Sequence, residues 1–380
     1  MLSNINNITP QIYYPVAEES DSLTPEQIKQ FYNYLRRNRK KFDDNNCYYQ
    51  GRNKAITDKK SVDPNAPDNR VITPYARTMT QIVTGYMGKP ETITYHSEDE
   101  AYEENLKLIF EDADEPLKTN RLIANQSKFG VAFEYLYVSD EGSPEIAVVP
   151  PREVLPIYES INDDSVWACM RAVYEKEVDQ ECYYTLYIFY KNSFDTFEIV
   201  EVPGTEDIKI TQIESTPHFF NGVPIVDYWN NYEGMSDYEP VKSLIDSYDL
   251  LNSDAINETE RFASAYLVMK NVILADTKDP NQQKVFLDKI KSSRIFSVSN
   301  DGDIQFLTKN IPVEFINSMR QAIREDIQYH SHIPDFRDQA FRAQSGEAQK
   351  WALFDFENLC SEKEALIREG LERRIELINN

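Results

Sequence analysis

Apolar positions along this chain change their spacing twice, and the changes divide it into three regions. A repeat of three to four residues marks a helix buried along one stripe, and alternation marks a half-buried strand. After a polar, Pro-containing arm over residues 1–23, Thr24-Pro25-Glu26-Gln27 reads as a helix start. It combines a capping Thr, a Pro in the first turn and a Gln at the third position. A basic-aromatic helix is predicted from there to about Lys41. Residues 43–70 read as loop, rich in Asn, Asp, Gly and Pro. Further helices are predicted over Pro74–Tyr86, ending at Gly88-Lys89-Pro90, and from about Asp99 to Phe110.

The middle region is strand-like. Gly130–Val138, Glu145–Val149, Val166–Tyr174, Cys182–Tyr190 and Thr196–Val202 cluster or alternate Val, Ile, Tyr and Phe between closely spaced turn residues. That pattern predicts an antiparallel meander. After Pro224 the helical period returns. Val241, Leu244, Ile245, Tyr248, Leu251, Ala255, Phe262 and Tyr266 form one stripe, and Asp246, Asp249, Asp254, Glu258 and Glu260 lie on the other face. A compact insert follows, with a short helix near Gln282–Lys291 and strands Arg294–Val298 and Ile304–Leu307, joined by the turn Asn300-Asp301-Gly302. A second helix carries Phe315, Ile316, Met319, Ile323, Ile327 and His330 and stops before Pro334. After the polar loop Asp335–Gln344, a last helix runs from Gly346 to the end. Its stripe is Ala352, Phe356, Leu359, Leu366, Leu371, Ile375 and Ile378.

Charge changes the picture of partners. The chain has 64 acidic and 40 basic residues, a net −24, whereas a nucleic-acid reader presents a basic face to phosphates. A hydrophobic content of 41% supports a real core. Four dispersed cysteines, Cys47, Cys169, Cys182 and Cys360, contain no CxxC pair and suit free thiols in a reducing cytoplasm. No signal peptide and no membrane span is predicted.

The search for chemistry finds no phosphate loop, HExxH, GxSxG or GxGxxG. No catalytic residue, metal or cofactor is assigned. His330 and His332 at a helix end form either a metal pair or cations favoured by the helix C-terminus. Glu111-Asp112-Ala113-Asp114-Glu115 reads as a solvated loop or, alternatively, a divalent-ion site.

Several segments together resemble the portal proteins of long-tailed phages of Gram-positive hosts. The first is Cys47-Tyr48-Tyr49-Gln50-Gly51-Arg52-Asn53. Asn69 to Arg77 with Gly85 to Pro90 is the second, and Pro150 to Tyr158 the third. Val223-Pro224-Ile225-Val226 through Asn230-Asn231 and Ser236-Asp237-Tyr238-Glu239 resemble the family's approach to its stem, continued by Leu244 to Tyr248 and Ser253-Asp254. Ser345-Gly346-Glu347-Ala348 resembles the start of its last long helix. These matches occur in order from Tyr48 to the end.

The resemblance implies an α+β portal fold and a ring, usually of twelve subunits, at one capsid vertex. It implies a wing (residues 1–238 and 346–380) containing helices and the meander. Stem helices at 239–270 and 313–333 would flank a small α/β clip at 271–312, with a tunnel loop at 334–345. The family usually continues past the last helix into a helical crown, which is expected to be absent here. Asp335, Phe336, Arg337, Asp338, Phe341 and Arg342 would face double-stranded DNA in the channel. Arg294, Ile295, Phe296, Ile304 and Phe306 would touch neighbouring clips. Terminase would dock on the clip during packaging and head-completion proteins afterwards, with coat and scaffold proteins around the ring. An acidic channel lets DNA slide, because it does not form the counterion-releasing contacts of a tight binder. The rival readings are another head protein, coat or scaffold, and a metal-dependent phage nuclease.

Overall fold

Thr24 caps the first helix as its sequence requires. In this computed structural model, the Gln27 amide donates to Thr24 Oγ1 at 3.4 Å and the Thr24 amide donates to Gln27 Oε1 at 2.8 Å. The structure describes residues 12–13, 22–60, 66–89, 93–139, 142–160, 163–205, 208–263, 266–270, 284, 288, 303–307, 313–336 and 345–380. Helix α1 (Pro25–Tyr49) continues two turns beyond the expected end at Lys41. The Asp44-Asn45 pair reads locally as a breaker but is held by Lys242, whose Nζ donates to Asp44 Oδ2 at 2.5 Å and Asn45 Oδ1 at 2.6 Å.

After the short α2 (Lys54–Thr57), helices α3 (Tyr75–Met87) and α4 (Glu100–Asp112) lie where the periodicity placed them. A further helix, α5 (Glu115–Phe129), occupies sequence with no apolar stripe. The acidic run Glu111–Glu115 is therefore a helix junction, turned by Asp114 at φ 50°, and not a solvated loop. Glu115 is buried.

The chain divides into two compact units, residues 1–54, 72–246 and 324–380, and residues 55–71 and 247–323. The first contains both larger sheets. The strands are β1 (Ile12–Tyr13), β2 (Val131–Val138), β3 (Pro144–Val149), β4 (Val154–Ser160), β5 (Asp163–Val178), β6 (Glu181–Phe189), β7 (Ser193–Glu201), β8 (Ile208–Pro217) and β9 (Ile225–Trp229). The meander is β4-β5-β6-β7-β8, antiparallel throughout, with β1 parallel on the β4 edge. Gly130–Val138 and Glu145–Val149 do not belong to it. They form a separate antiparallel sheet ordered β3-β2-β9.

Alternation along the strands supplies both faces of the six-stranded sheet. Leu155, Ile157, Met170, Leu186, Ile188 and Ile199 pack with Ile28, Phe31, Tyr32 and Leu35 of α1. Val154, Cys169 and Phe189 pack with Phe133, Val149 and Ile225 of the smaller sheet. Gly130 joins α5 to β2 at φ 87°, and a Cβ there would run into the Gly234 backbone, so only glycine fits.

The second unit holds residues 247–263 of helix α6 (Lys242–Ala263), strands β10 (Tyr266–Lys270) and β11 (Asp303–Leu307), and residues 313–323 of helix α7 (Val313–Ser331). Here the sequence reading needs correction. The helical stripe ends at Ala263 instead of running to 270, because Tyr266–Lys270 is an extended, β-favouring stretch paired antiparallel with β11. Leu267 stands opposite Phe306 and Met269 opposite Ile304. The expected partner, Arg294–Val298, lies outside the described residues. So does the predicted helix near Gln282–Lys291, apart from Lys284 and Asp288, which are helical. Within this unit Asn69 donates to Asn257 Oδ1 and Glu260 Oε2, and the Val71 amide donates to Ser253 Oγ, tying residues 66–71 to α6. The last helix, α8 (Gly346–Asn379), belongs to the first unit. Among the described residues no helix is long and apolar enough to cross a membrane.

Candidate functional site

The last helix is held in place by buried charge. Its buried line is Phe356, Cys360, Lys363, Ile367, Gly370, Leu371, Arg374 and Leu377, a helical stripe in which two positions are cations. Arg374 is 0% exposed. Its Nε donates to Glu134 Oε1 at 2.8 Å, Nη2 to Glu134 Oε2 at 2.5 Å and Nη1 to Glu115 Oε1 at 2.6 Å. Tyr95 and Thr119 also donate to Glu115 Oε1, and Thr119 Oγ1 accepts from Arg374. Three turns earlier, Lys363 Nζ donates to Asn230 Oδ1 at 2.7 Å and pairs with Asp237. Gly370 lets the helix approach β9, since a Cβ there would collide with the Tyr228 ring. Buried pairs of this kind fix register, because any slide strands a charge in the interior.

A second joint ties α1 to the start of α6. Besides the Lys242 contacts, Tyr48 OH donates to Asp246 Oδ2 at 2.7 Å. Burial raises the Asp246 pKa and the field of Asp44 adds to this, while the Tyr48 bond and Lys242 act the other way.

The two long helices α6 and α7 present apolar side chains that are exposed among the described residues. On α7 the stripe Phe315, Met319, Ile323, Ile327 repeats every four residues. Exposure falls along it from 62% at Phe315 and 40% at Met319, through half-buried Ile323, to 0% at Ile327. The helix ends at Ser331, where His332 takes φ 56° and the Ile333 amide donates to Ser331 Oγ at 3.3 Å ahead of Pro334.

Of the expected tunnel residues, Asp335 is half-buried and Phe336 is exposed, with its ring edge-on to Phe356 of α8 at 6.5 Å. Phe356 also meets Tyr86 of α3 at 5.1 Å. Arg337, Asp338, Phe341 and Arg342 lie outside the described residues, as do Arg294, Ile295 and Phe296 of the expected clip contacts. Ile304 and Phe306 sit on β11.

Cys169 and Cys360 are buried thiols. Burial pushes the Cys360 thiol up to about 12 and the Cys169 thiol well above its ordinary value, which removes both as nucleophiles at neutral pH. Among the described residues, no group of three or more His, Cys, Asp or Glu is placed to hold a metal ion. A cavity of about 410 Å³ lies against Tyr95, Leu106, Phe110, Glu115, Pro116 and Thr119, with its apolar wall backed by the Arg374 cluster. Arg374, Lys363 and Glu134 were not signalled by sequence, and Asp237 was noted only within a family motif and not as a buried partner. Only their coincidence with the 3.6-residue stripe, at positions 363 and 374, could have marked the two cations as buried.

Residues 28–380 match the family described as phage portal protein, SPP1 Gp6-like. The portal protein of Bacillus phage SPP1 is 24% identical over 290 residues, covering 72% of this chain and 54% of that protein. The portal protein of Clostridium phage phiCD119 is 23% identical over 230 residues, covering 55% of this chain and 49% of its own length. The chain thus spans about half the length of the curated relatives it matches. A chain from the neck of an empty GTA particle has a TM-score of 0.39 and 9% identity, with 73% of this chain and 70% of that chain covered.

Proposed function

This chain belongs to the SPP1 Gp6-like phage portal protein family, and on that premise we propose that it is one subunit of a closed ring at a capsid vertex. Double-stranded DNA passes through the ring on its way into and out of the head. The observation that carries this reading is the open stripe on α7. Phe315 and Met319, exposed among the described residues and in line with buried Ile327, form an apolar surface that neighbouring copies of the same helix finish.

In this reading α6 and α7 form the stem and residues 271–312 the clip that terminase, and later a head-completion protein, grips. Coat and scaffold proteins surround the wing during assembly in the host cytoplasm. The loop 334–345 stands nearest the DNA. Phe336, seated against Phe356, links that loop to the last helix. The net charge of −24 suits a conduit, since it disfavours tight binding of phosphate overall. Work is supplied by a separate motor, and the chain contributes geometry.

Electron micrographs of the purified protein test the proposal. It requires particles with a central hole when viewed end-on. Compact particles without a hole that cleave DNA when given a divalent metal would replace it with the nuclease reading.

A further inference from the structure

Helix α1 carries a basic face in an acidic protein. Lys29, Arg37 and Lys40 are exposed and form no ion pair with a described residue, whereas Arg36 and Arg39 are drawn inward to Glu201 and Lys41 pairs with Glu239. Half-buried Asn33 completes the row, at positions i, i+4, i+8 and i+11 from Lys29. These offsets place all four within one side of the helix. Glu26, in the first turn, lies just beyond its N-terminal end.

Helix α4 carries the opposite face at the same spacing. Glu100, Glu104, Leu108 and Glu111 are i, i+4, i+8 and i+11, all exposed, and the three acids form no ion pair with a described residue. The neighbouring Glu103 is already paired with Lys107 at 2.6 Å. Leu108 is 56% exposed, a large apolar side chain in the middle of the acidic row.

We propose that these two faces form the contact between adjacent wings, with α1 of one copy lying antiparallel on α4 of the next. The proposal rests on the ring reading above. Lys29 and Lys40 are 11 residues apart, as are Glu111 and Glu100, so both rows are about 16 Å long. Run antiparallel, Lys29 meets Glu111, Arg37 meets Glu104 and Lys40 meets Glu100. Leu108 then falls beside Asn33, where the aliphatic stems of Lys29 and Arg37 cover it. Run parallel, Arg37 falls on Leu108 and one pair is lost. A contact between two different patches is heterologous, the type that propagates around a ring.

Nucleic acid is the other polyanion a basic face could take. Three free cations over about 16 Å make few phosphate contacts, and the net charge of −24 repels a polyanion at longer range. The acidic row of a second copy matches the face in length, in spacing and in charge.

Reversing charge across an interface turns each attraction into repulsion, and every seam of the ring is hit at once. The full chain is compared with R37E/K40E, with E100K/E104K, and with the quadruple variant that combines them, by sedimentation across protein concentration and salt. Each double reversal is expected to raise the concentration needed for rings at least tenfold, and the quadruple variant to bring it back towards that of the parent. The residues are exposed, so rescue by the quadruple variant also shows that the doubles were folded. Rings that form normally in either double variant overturn the pairing and leave the ring reading standing. So does a quadruple variant that fails to recover, or an R37E/K40E ring whose only defect is weaker binding of duplex DNA. A parent that stays monomeric overturns both readings.

Discussion

Replacing Arg374 with Met tests how the last helix is held. Met keeps an unbranched apolar stem beside Tyr228 and removes the guanidinium, leaving Glu134, 0% exposed, and Glu115, 5% exposed, without a counter-charge. Three of the lost hydrogen bonds are 2.5–2.8 Å long and charge-assisted. Removing one partner from a buried pair costs roughly 3–5 kcal/mol, because the remaining charge stays desolvated. Against a typical total of about 5–15 kcal/mol for a domain, that is about a fifth of the stability or more. Equilibrium urea unfolding of R374M, followed by circular dichroism, is expected to show a loss of that size. The variant R374M/E115Q/E134Q removes the stranded charges as well and is expected to regain most of it, since neutral amides cost far less to bury. A loss below about 1 kcal/mol in R374M, or no recovery in the triple variant, would refute the reasoning that desolvated charge sets the magnitude.

Three more outcomes are expected. Gly370→Ala gains about 1 kcal/mol of helix propensity but forces a Cβ into the Tyr228 ring, an overpacking cost of about 1–3 kcal/mol. Its urea midpoint is expected to fall, and a rise would contradict the close approach of α8 to β9. Asp246 faces Asp44, Lys242 and Tyr48, and its pKa is raised by burial, so it favours folding when protonated and loses that contribution as pH rises through its folded value. Asp246→Asn is therefore expected to stabilise at pH 7, with the gain vanishing as pH falls into the ordinary carboxylate range. A gain independent of pH in urea titrations would show that the charge is not the cause. Changing Arg337 and Arg342 together to Glu is expected to leave rings intact and to slow packaging, measured as nuclease-protected DNA. Protection equal to the parent would make residues 334–345 a simple connector.

The sequence disclosed what periodicity can carry. Helices α3, α4, α7 and α8 and most of the strands were legible because their apolar residues repeat with the period of the element. Helix α5 was not, because its buried positions include Glu115, Thr119, Gln126 and Ser127, polar groups that only their partners make compatible with burial. The last two turns of α1 were hidden for the same reason, as Asp44 and Asn45 read as a turn until Lys242 is seen bonding to both. Apolar content alone could not separate Tyr266–Lys270 from the helix before it, since a short apolar run suits either state and pairing with β11 decides. The division of the first five strands between two sheets depends on β9, which pairs with β2 from far along the chain. Family resemblance was visible in short motifs, and the match over residues 28–380 agrees with them. The charged pins of α8 fall on its 3.6-residue stripe, but acidic partners such as Glu134 and Glu115 lie far off in sequence and only the fold brings them together.

Mass in solution tests the portal-ring account most directly. Native mass spectrometry of the purified full chain, at low protein concentration and moderate salt, is predicted to give one dominant assembly at an integral multiple of 44.3 kDa, with every copy equivalent. A single species at 44.3 kDa across all concentrations, with Phe315 and Met319 still open to solvent labelling, would contradict it.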